Sequence, residues 1–412
     1  LINIDESHKF SIKKTKRKLQ TLRSKLERIS DKKQDDGVYF DDLGLDALIV
    51  DESHNFKNLT VHAASQEISS SINGSQRAWD LYMKTEYLNK MRSDNKGIIF
   101  ASGTPITNSP LEIYNMQRYL QPELLKEANI ELASNWAATF LNQKVSWEPD
   151  VLGSDWKKKS RFTMHNVPEL MQQFRNSLDV VKAKDIGIKL PEVEKINIVS
   201  PISDLQEQLM KGLSKDLDNG EHIFSIMNKG KHISLDPQTI NEEYDDTDNE
   251  DSKVNKVSET VYDEWKNSHD IKGAQLVFCD LSTPKKNNQY SVYDSIKEKL
   301  IENGIPESDI AFIHDYNSDA KRANLFSKIR EGEKRVLIGS TEKMGEGLNV
   351  QDRLVALHHI DAPWTPAKVE QRNGRIIRFG NENEDVKIFI YTTQNTFDLF
   401  KWNLLKIKEA EF

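Results

Sequence analysis

The 412-residue sequence contains one cysteine, Cys279, and no apolar run approaching the roughly 20 residues that a membrane-spanning helix needs. A single cysteine excludes an internal disulfide, so nothing in the sequence requires an oxidising compartment. The first residues also lack the pattern of a secretory signal. These absences favour a cytoplasmic protein with no membrane partner.

The chain also lacks the net positive charge typical of a simple nucleic-acid-binding domain. It has 57 Lys and Arg against 65 Asp and Glu, which gives a net charge of −8. A protein can still bind nucleic acid through a single basic groove. Residues 1–42 form a predicted basic helical arm, interpreted either as a solvated amphipathic helix or as a phosphate-contacting arm. The acidic run 241–253 predicts a flexible linker.

The tetrapeptide Asp-Glu-Ser-His occurs at 5–8 and again at 51–54, but only the second copy directly follows an uninterrupted run of β-formers, at 48–50. A carboxylate at the tip of a buried parallel strand is well placed to hold the Mg²⁺ of a bound nucleotide. We therefore predict that Asp51 is the magnesium ligand and that Glu52 orients or polarises the attacking water. His54 is predicted to pass the state of the phosphate site to a neighbouring lobe.

The segment "GIIFASGTPITN", residues 97–108, is a second apolar strand that ends in two hydroxyl residues, Ser102 and Thr104. Hydroxyl groups at this position are expected to hydrogen-bond the DESH side chains and to relay the nucleotide state. The alternative is an ordinary strand followed by a turn at Gly103 and Pro105.

Two later segments carry further phosphate-binding chemistry. In "KRVLIGSTEKMGEGLNVQD", residues 334–352, Gly345 and Gly347 would let the backbone approach a phosphate closely. The segment 369–381 places Arg375 and Arg378 three residues apart on one predicted helix, so they share a face and can clamp a γ-phosphate. An arginine-rich helix is more often a solvated surface, but the flanking strands make this one part of an α/β repeat.

In chain order, the DESH, SGTP, "QLVFCD", "STEKMGEGLN" and "QRNGRIIRFG" segments resemble the motifs of a superfamily-two helicase, and in particular those of the Swi/Snf-like double-stranded DNA translocases. The pattern Q-x-x-G-R-x-x-R-x-G falls on Gln371, Gly374, Arg375, Arg378 and Gly380. Most of residues 35–412 looks like the helicase portion of large phage- and plasmid-borne proteins. Those proteins carry a methyltransferase-like region upstream and are linked to defence against restriction.

The resemblance implies ATP and Mg²⁺ as cofactors and double-stranded DNA as the partner; an RNA helicase is the less favoured alternative. It also implies that Asn349 and Gln371 bind the nucleotide together with the two glycines and the two hydroxyl residues named above. Thr341 and Lys343 are expected to face the DNA backbone or the cleft.

The phosphate-binding loop G-x-x-x-x-G-K-[ST] of this family is absent from the sequence. Two explanations remain open: the chain begins inside the first lobe, after that loop, or it is an ATPase-inactive module that binds DNA or protein. The presence of Asp51, Glu52, Arg375 and Arg378 favours the first. We then expect the intact protein to hydrolyse ATP and this fragment alone to be inactive.

The alternation of predicted strands and helices indicates an α/β fold with two RecA-like lobes, each built on a parallel doubly wound sheet. The first lobe is expected to be incomplete, and the nucleotide is expected in the cleft between the lobes. We predict a basic arm over 1–42, a partial first lobe over 43–190, a crossover and acidic linker over 191–265, and a second lobe over 266–412.

Several other residues are predicted to be structural. Trp136, Trp147 and Trp156 are expected in the core rather than on a DNA-facing insertion. His358 and His359 are adjacent on a strand and point to opposite faces, so they make a poor metal pair. Cys279 is expected to be an inert buried thiol.

Overall fold

A computed structural model describes positions 20, 24, 68 and 106 and the ranges 38–61, 74–92, 96–103, 109–149, 156–175, 177–244, 249–284, 289–345 and 347–411. Nearly all of the predicted basic arm, and Thr104, lie outside the described residues.

Two short strands pair in parallel in the N-terminal lobe, at the positions predicted from their β-formers: β1 (Leu48–Val50) and β2 (Ile98–Phe100). The hydrogen bonding continues past the strands. Ala101 N donates to Val50 O at 2.9 Å, and Ser53 N donates to Ala101 O at 3.0 Å. The carboxyl ends of both strands therefore meet at one edge, which is the edge where the DESH and SGTP segments begin.

Helices and a β-hairpin complete the described part of this lobe. Trp136 is fully buried, and its Nε1 donates to Gln117 Oε1 at 2.7 Å, whereas Trp147 on the hairpin is 65% exposed. The core prediction is therefore right for Trp136 and wrong for Trp147. The elements are α1 (Gln76–Met91), α2 (Leu111–Leu120), α3 (Pro122–Glu127), α4 (Ala133–Phe140), the antiparallel strands β3 (Leu141–Pro149) and β4 (Trp156–Met164), and α5 (Val167–Phe174).

A six-stranded parallel sheet is the centre of the C-terminal lobe, in the strand order β5-β10-β9-β6-β8-β7. Its strands are β5 (Glu192–Ser200), β6 (Ala274–Phe278), β7 (Ile310–Phe312), β8 (Val336–Gly339), β9 (Leu354–His359) and β10 (Asp385–Thr393). The helices are α6 (Asp204–Asp218), α7 (Ile223–Leu235), α8 (Lys253–Asn267), α9 (Val292–Glu302), α10 (Asp319–Arg330), α11 (Thr341–Met344), α12 (Pro366–Asn373) and α13 (Phe397–Glu411).

Both faces of this sheet are covered, because successive strand residues point to opposite sides. Leu276 packs with Leu325 of α10 in one buried cluster, and Val277 packs with Val257 of α8 in the other. Helices on both faces of a parallel sheet make it doubly wound, which confirms the predicted α/β class. No helix within the described ranges is long and apolar enough to cross a membrane.

The predicted crossover and linker over 191–265 is wrong for much of its length. β5 pairs with β10 over nine positions, and α8 packs on one sheet face. The segment "EVEKINIVS" alternates because an edge strand buries every second side chain, and Ile196 and Ile198 pack against the core. The acidic run lies between α7 and α8, and positions 245–248 within it lie outside the described residues.

Candidate functional site

The DESH residues form a tight turn at the carboxyl end of β1. The Glu52 N–H donates to Asp51 Oδ1 at 2.8 Å, and Glu52 has left-handed backbone angles (φ 49°, ψ 43°), which are uncommon for a residue with a side chain. His54 Nδ1 lies 3.2 Å from Glu52 Oε2 and 3.3 Å from Ser102 Oγ. Ser102 thus contacts the DESH segment, because the two parallel strands end side by side.

The carboxylates of Asp51 and Glu52 are exposed at this edge. Within the described residues, no group of three or more His, Cys, Asp or Glu side chains comes together to hold a metal ion. Mg²⁺ does not need such a cage, because it is commonly held by one or two carboxylates together with water and the phosphate oxygens of the substrate. Asp51 fits that mode of binding.

The Gly-rich segment follows β8 and the short helix α11. A Cβ on Gly345 would lie 2.2 Å from Thr341 O and 3.0 Å from Gln371 Oε1, so only glycine fits where these two segments meet. Gly347 has a φ of +69° and open space around it. Asn349 O accepts a hydrogen bond from Arg330 Nη1 at 2.8 Å. The predicted residues Gly345 and Gln371 are therefore direct neighbours.

The prediction that Arg375 and Arg378 share a helix is wrong. Helix α12 ends at Asn373, and the chain continues through Gly374 in tight turns, with Arg378 N donating to Ile376 O. The two arginines converge by another route. Arg375 Nη1 and Arg378 Nη1 each donate to Leu348 O at 3.3 Å, and Arg375 Nη2 also donates to Gly345 O. Both guanidinium groups thus lie on the Gly-rich segment.

A fully buried arginine, Arg372, organises the same region and was not predicted as a site residue. Its Nη2 lies 2.9 Å from Asp361 Oδ1 and 3.0 Å from Asp280 Oδ2, and its Nε donates to Thr341 Oγ1 at 2.7 Å. Asp361 Oδ2 in turn accepts the backbone N–H groups of Asp280 and Leu281. The network ties the ends of β6 and β9 to the helix α12.

The two carboxylates of this network could have been found from the sequence. Asp280 and Asp361 come shortly after the apolar strands β6 and β9, as Asp51 follows β1. Burial alone would raise the pKa of Asp280, but Arg372 and the two Thr341 donors outweigh it and lower that pKa. Asp280 is therefore ionised at neutral pH.

Thr341 belongs to this network and not to a DNA-facing surface. It is 1% exposed, its N–H donates to Asp280 Oδ1 at 2.6 Å, and its hydroxyl donates to Asp280 Oδ2 at 2.9 Å. Of the two expectations for Thr341, the contact with the DNA backbone is contradicted, because Asp280 and Arg372 already engage its hydrogen-bonding groups in the interior. The other expectation, that it faces the cleft, stays a prediction. Lys343 is half-buried on the same short helix and remains a predicted contact.

The two histidines and the cysteine that were predicted to be structural are buried. His358 bonds to Tyr391 Oη and Gln275 Oε1 at 2.8 and 2.9 Å, and His359 bonds to Asn373 Oδ1 at 2.8 Å. Burial lowers the pKa of each imidazole to about 3, and Arg372 adds to the effect on His359. Cys279 is fully buried, and burial raises its pKa, so it is not a reactive thiolate.

Two family models match the chain. A model described as a probable helicase domain matches residues 2–181, and a helicase conserved C-terminal domain matches residues 253–380. These matches confirm the helicase resemblance that the sequence motifs indicated.

Known proteins of similar sequence span much more than this chain. "Defense against restriction protein B" of Escherichia phage P1 is 21% identical over 90% of this chain and 22% of its own length. "Zorya protein ZorD" of Escherichia coli O139:H28 is 22% identical over 72% of this chain and 26% of its own length. The chain thus spans about a quarter of the length of these relatives.

The crystal structure of the C-terminal part of the Fun30 ATPase domain aligns with a TM-score of 0.41 and 13% identity, over 54% of this chain and 96% of that one.

Proposed function

We propose that this chain, a helicase-family protein in both of its matched regions, is the C-terminal portion of an ATP-dependent translocase that moves on duplex DNA. The phosphate-binding loop that it lacks would come from residues outside these 412. The wider context would be a large phage- or plasmid-related protein with a methyltransferase-like region, as the sequence resemblance suggests.

The observation that carries the proposal is the contact between Ser102 and His54. It joins the ends of two parallel strands at the point where Asp51 and Glu52 project. Such a strand edge is where α/β folds bind nucleotides. In this role Asp51 would hold Mg²⁺, which neutralises developing phosphate charge when bound, and Glu52 would orient the attacking water. The 3.2 Å contact of His54 with Glu52 would couple the water-orienting carboxylate to Ser102.

The C-terminal lobe would supply the positive charge. Arg375 and Arg378 are both anchored on Leu348 O, which holds their guanidinium groups beside the Gly-rich segment. Arg378 is the more exposed of the two and is our choice for the group that reaches the γ-phosphate across the cleft. Gln371 and Gly345 would fix the distance between the arginine segment and the Gly-rich segment.

The test is DNA-stimulated ATP hydrolysis by a longer chain that includes a G-x-x-x-x-G-K-[ST] loop. Arg378→Ala should lose nearly all DNA-stimulated turnover, whereas the exposed control Lys266→Met should retain it. Unchanged turnover in Arg378→Ala would contradict the proposal. Stimulation by duplex RNA but not by duplex DNA would overturn the choice of substrate.

The second candidate is an ATPase-inactive module that uses the same fold to bind DNA or protein. The absence of G-x-x-x-x-G-K-[ST] from the sequence favours it. On this reading, ATP does not bind to the natural chain even when it is extended beyond these 412 residues. Duplex binding is then independent of nucleotide. Binding of ATP by the longer chain, abolished by Asp51→Asn, would exclude it.

A further inference from the structure

Two lysines from different helices contact the same tryptophan in the C-terminal lobe. Lys231 Nζ of α7 lies 3.2 Å from the centroid of the Trp364 ring, and Lys401 Nζ of α13 lies 3.8 Å from it. Trp364 lies between β9 and α12 and is 47% exposed. The two ammonium groups are therefore at most about 7 Å apart, the sum of these two distances.

These side chains line a cavity of about 120 Å³. Lys401 is only 3% exposed, and Lys231 is half-buried. Within the described residues, each ammonium group contacts the Trp364 ring. Neither group has a hydrogen bond or an ion pair there. A buried lysine without an anionic partner is costly, because the ring does not replace the lost hydration.

The carboxylates that line the cavity are already paired with other cations. Asp280 and Asp361 share Arg372, and Asp398 is bonded to Lys253 and to the N–H of Thr393. Asp280 and Asp361 share one guanidinium, so they still favour the charged form of Lys231, but neither forms an ion pair with Lys231 or Lys401 within the described residues. With all groups ionised, the two lysines, Arg372 and Lys253 exceed the three carboxylates by one positive charge.

The protonation of the lysines reflects this environment. Burial lowers the pKa of Lys401 to about 7, with Lys231 adding to the effect, and burial lowers the pKa of Lys231 to about 8 although Asp361 and Asp280 oppose it. An anion in the cavity would restore the charged form of both groups.

We propose that the cavity between Lys231, Lys401 and Trp364 binds one phosphate group of the DNA backbone. A phosphate presents several oxygens, so it can accept charge-assisted hydrogen bonds of roughly 2.8 Å from two ammonium groups at this spacing. The volume holds a single phosphate but not a base, a ribose and three phosphates together. The rest of the ligand must therefore lie outside, as it does when the phosphate belongs to a polymer. The half-exposed Trp364 ring stands at the rim, where it can contact the adjoining sugar.

The pocket also shares a wall with the Arg372 network. Asp361 lines the cavity and pairs with Arg372, and Arg372 bonds to Thr341 ahead of the Gly-rich segment. A backbone phosphate in the pocket would thus be connected through Asp361, Arg372 and Thr341 to the start of the Gly-rich segment. The choice of DNA as the source of the phosphate rests on the proposed function.

The test is the affinity of the protein for a fluorescently labelled duplex, measured without nucleotide and over a range of salt concentrations. Lys401→Met and Lys231→Met keep the length and packing of each side chain and remove its charge. Each should weaken duplex binding about tenfold, and the double variant, which loses the one phosphate contact, should lower the magnitude of the slope of log K against log [salt] by about one. The control is Lys266→Met, an exposed lysine on α8, which should change neither.

Each outcome supports or overturns a different part of the proposal. The pocket is supported if either variant keeps the wild-type melting curve but binds the duplex more weakly and with a reduced salt slope. If the substitutions no longer weaken binding to a duplex with neutral methylphosphonate linkages, the contact is with the DNA backbone. Titration with inorganic phosphate tests whether the ligand is free phosphate instead of DNA. If phosphate binding needs both lysines while the duplex affinity of the variants is unchanged, the DNA assignment is overturned. Unchanged duplex affinity and no phosphate binding overturn the pocket itself. A wild-type protein that binds no duplex contradicts the proposed function instead.

Discussion

Arg372 and Asp361 form an ion pair that is almost completely shielded from water. Arg372 Nη2 lies 2.9 Å from Asp361 Oδ1, and the side chains are 0% and 7% exposed. Asp280 adds a second carboxylate at 3.0 Å. The pair holds the end of β9 against the helix that carries Gln371, so the arrangement of the arginine segment depends on it.

Removing this guanidinium should be strongly destabilising. Arg372→Ala leaves the buried carboxylate of Asp361 and the partly buried one of Asp280 without their cation, and breaking a buried pair in this way costs about 3–5 kcal/mol. Chemical denaturation of the C-terminal lobe should show a loss of that size. The exposed pair Lys189–Glu384 is the comparison, since Lys189→Met should leave the midpoint nearly unchanged. A loss no greater than that of Lys189→Met would contradict the role of Arg372.

The two buried histidines predict a pH dependence of stability. Their folded-state pKa of about 3 lies below the unfolded value of about 6.5, so the unfolded state takes up protons first as the pH falls. Their contribution is constant above about pH 6.5. It is lost below that, by about 1.4 kcal/mol per pH unit for each histidine, down to about pH 3.

His358→Gln tests this pH dependence. A glutamine amide cannot take up the proton. Between pH 6.5 and pH 4, unfolding of the variant should therefore take up about one proton fewer, and its unfolding free energy should fall less steeply with pH. His269→Gln, at an exposed position, should keep the wild-type slope. Equal slopes in wild type and His358→Gln would show that the imidazole is not held neutral.

Gly345 should tolerate no side chain. In Gly345→Ala the new methyl group meets the Thr341 carbonyl at 2.2 Å, so backbone must move, at a cost of about 1–3 kcal/mol. The movement should also displace Gln371 and weaken nucleotide binding in the longer chain. The matched control is Gly212→Ala in α6, where the space is open and alanine should stabilise the helix by up to about 1 kcal/mol. Equal effects of the two substitutions would contradict the close approach.

Much of the C-terminal lobe was predictable because buried parallel strands give continuous apolar runs. The runs at 275–279, 335–339, 354–360 and 386–392 predict four strands, and β6, β8, β9 and β10 each lie within two residues of these positions. β5 was missed because an edge strand buries only one face. Charged residues therefore alternate through "EVEKINIVS", and this pattern resembles that of an exposed linker. The end of α12 was missed because the periodicity of its arginines continues past Gly374, although the helix does not.

The site was predictable where it depends on strand ends and not where it depends on packing in space. Asp51 and Ser102 follow strands that are adjacent in the sheet, so sequence placed them together. Arg372 pairs with Asp280, 92 positions away in the sequence. Each carboxylate can be found from the apolar strand before it, but only the parallel register of β6 and β9 brings Asp280 beside Asp361, so no local pattern in the sequence predicts that they share Arg372.

The most direct test of the account is the rate of ATP hydrolysis, with and without duplex DNA, by a longer chain carrying Glu52→Gln. The substitution keeps the size of the side chain and its reach to His54, but removes the carboxylate that orients water. The account predicts that ATP still binds, that the chain folds as the wild type does, and that DNA-stimulated turnover falls by at least about 100-fold. Turnover at the wild-type rate would show that the DESH segment at the end of β1 is not the catalytic edge.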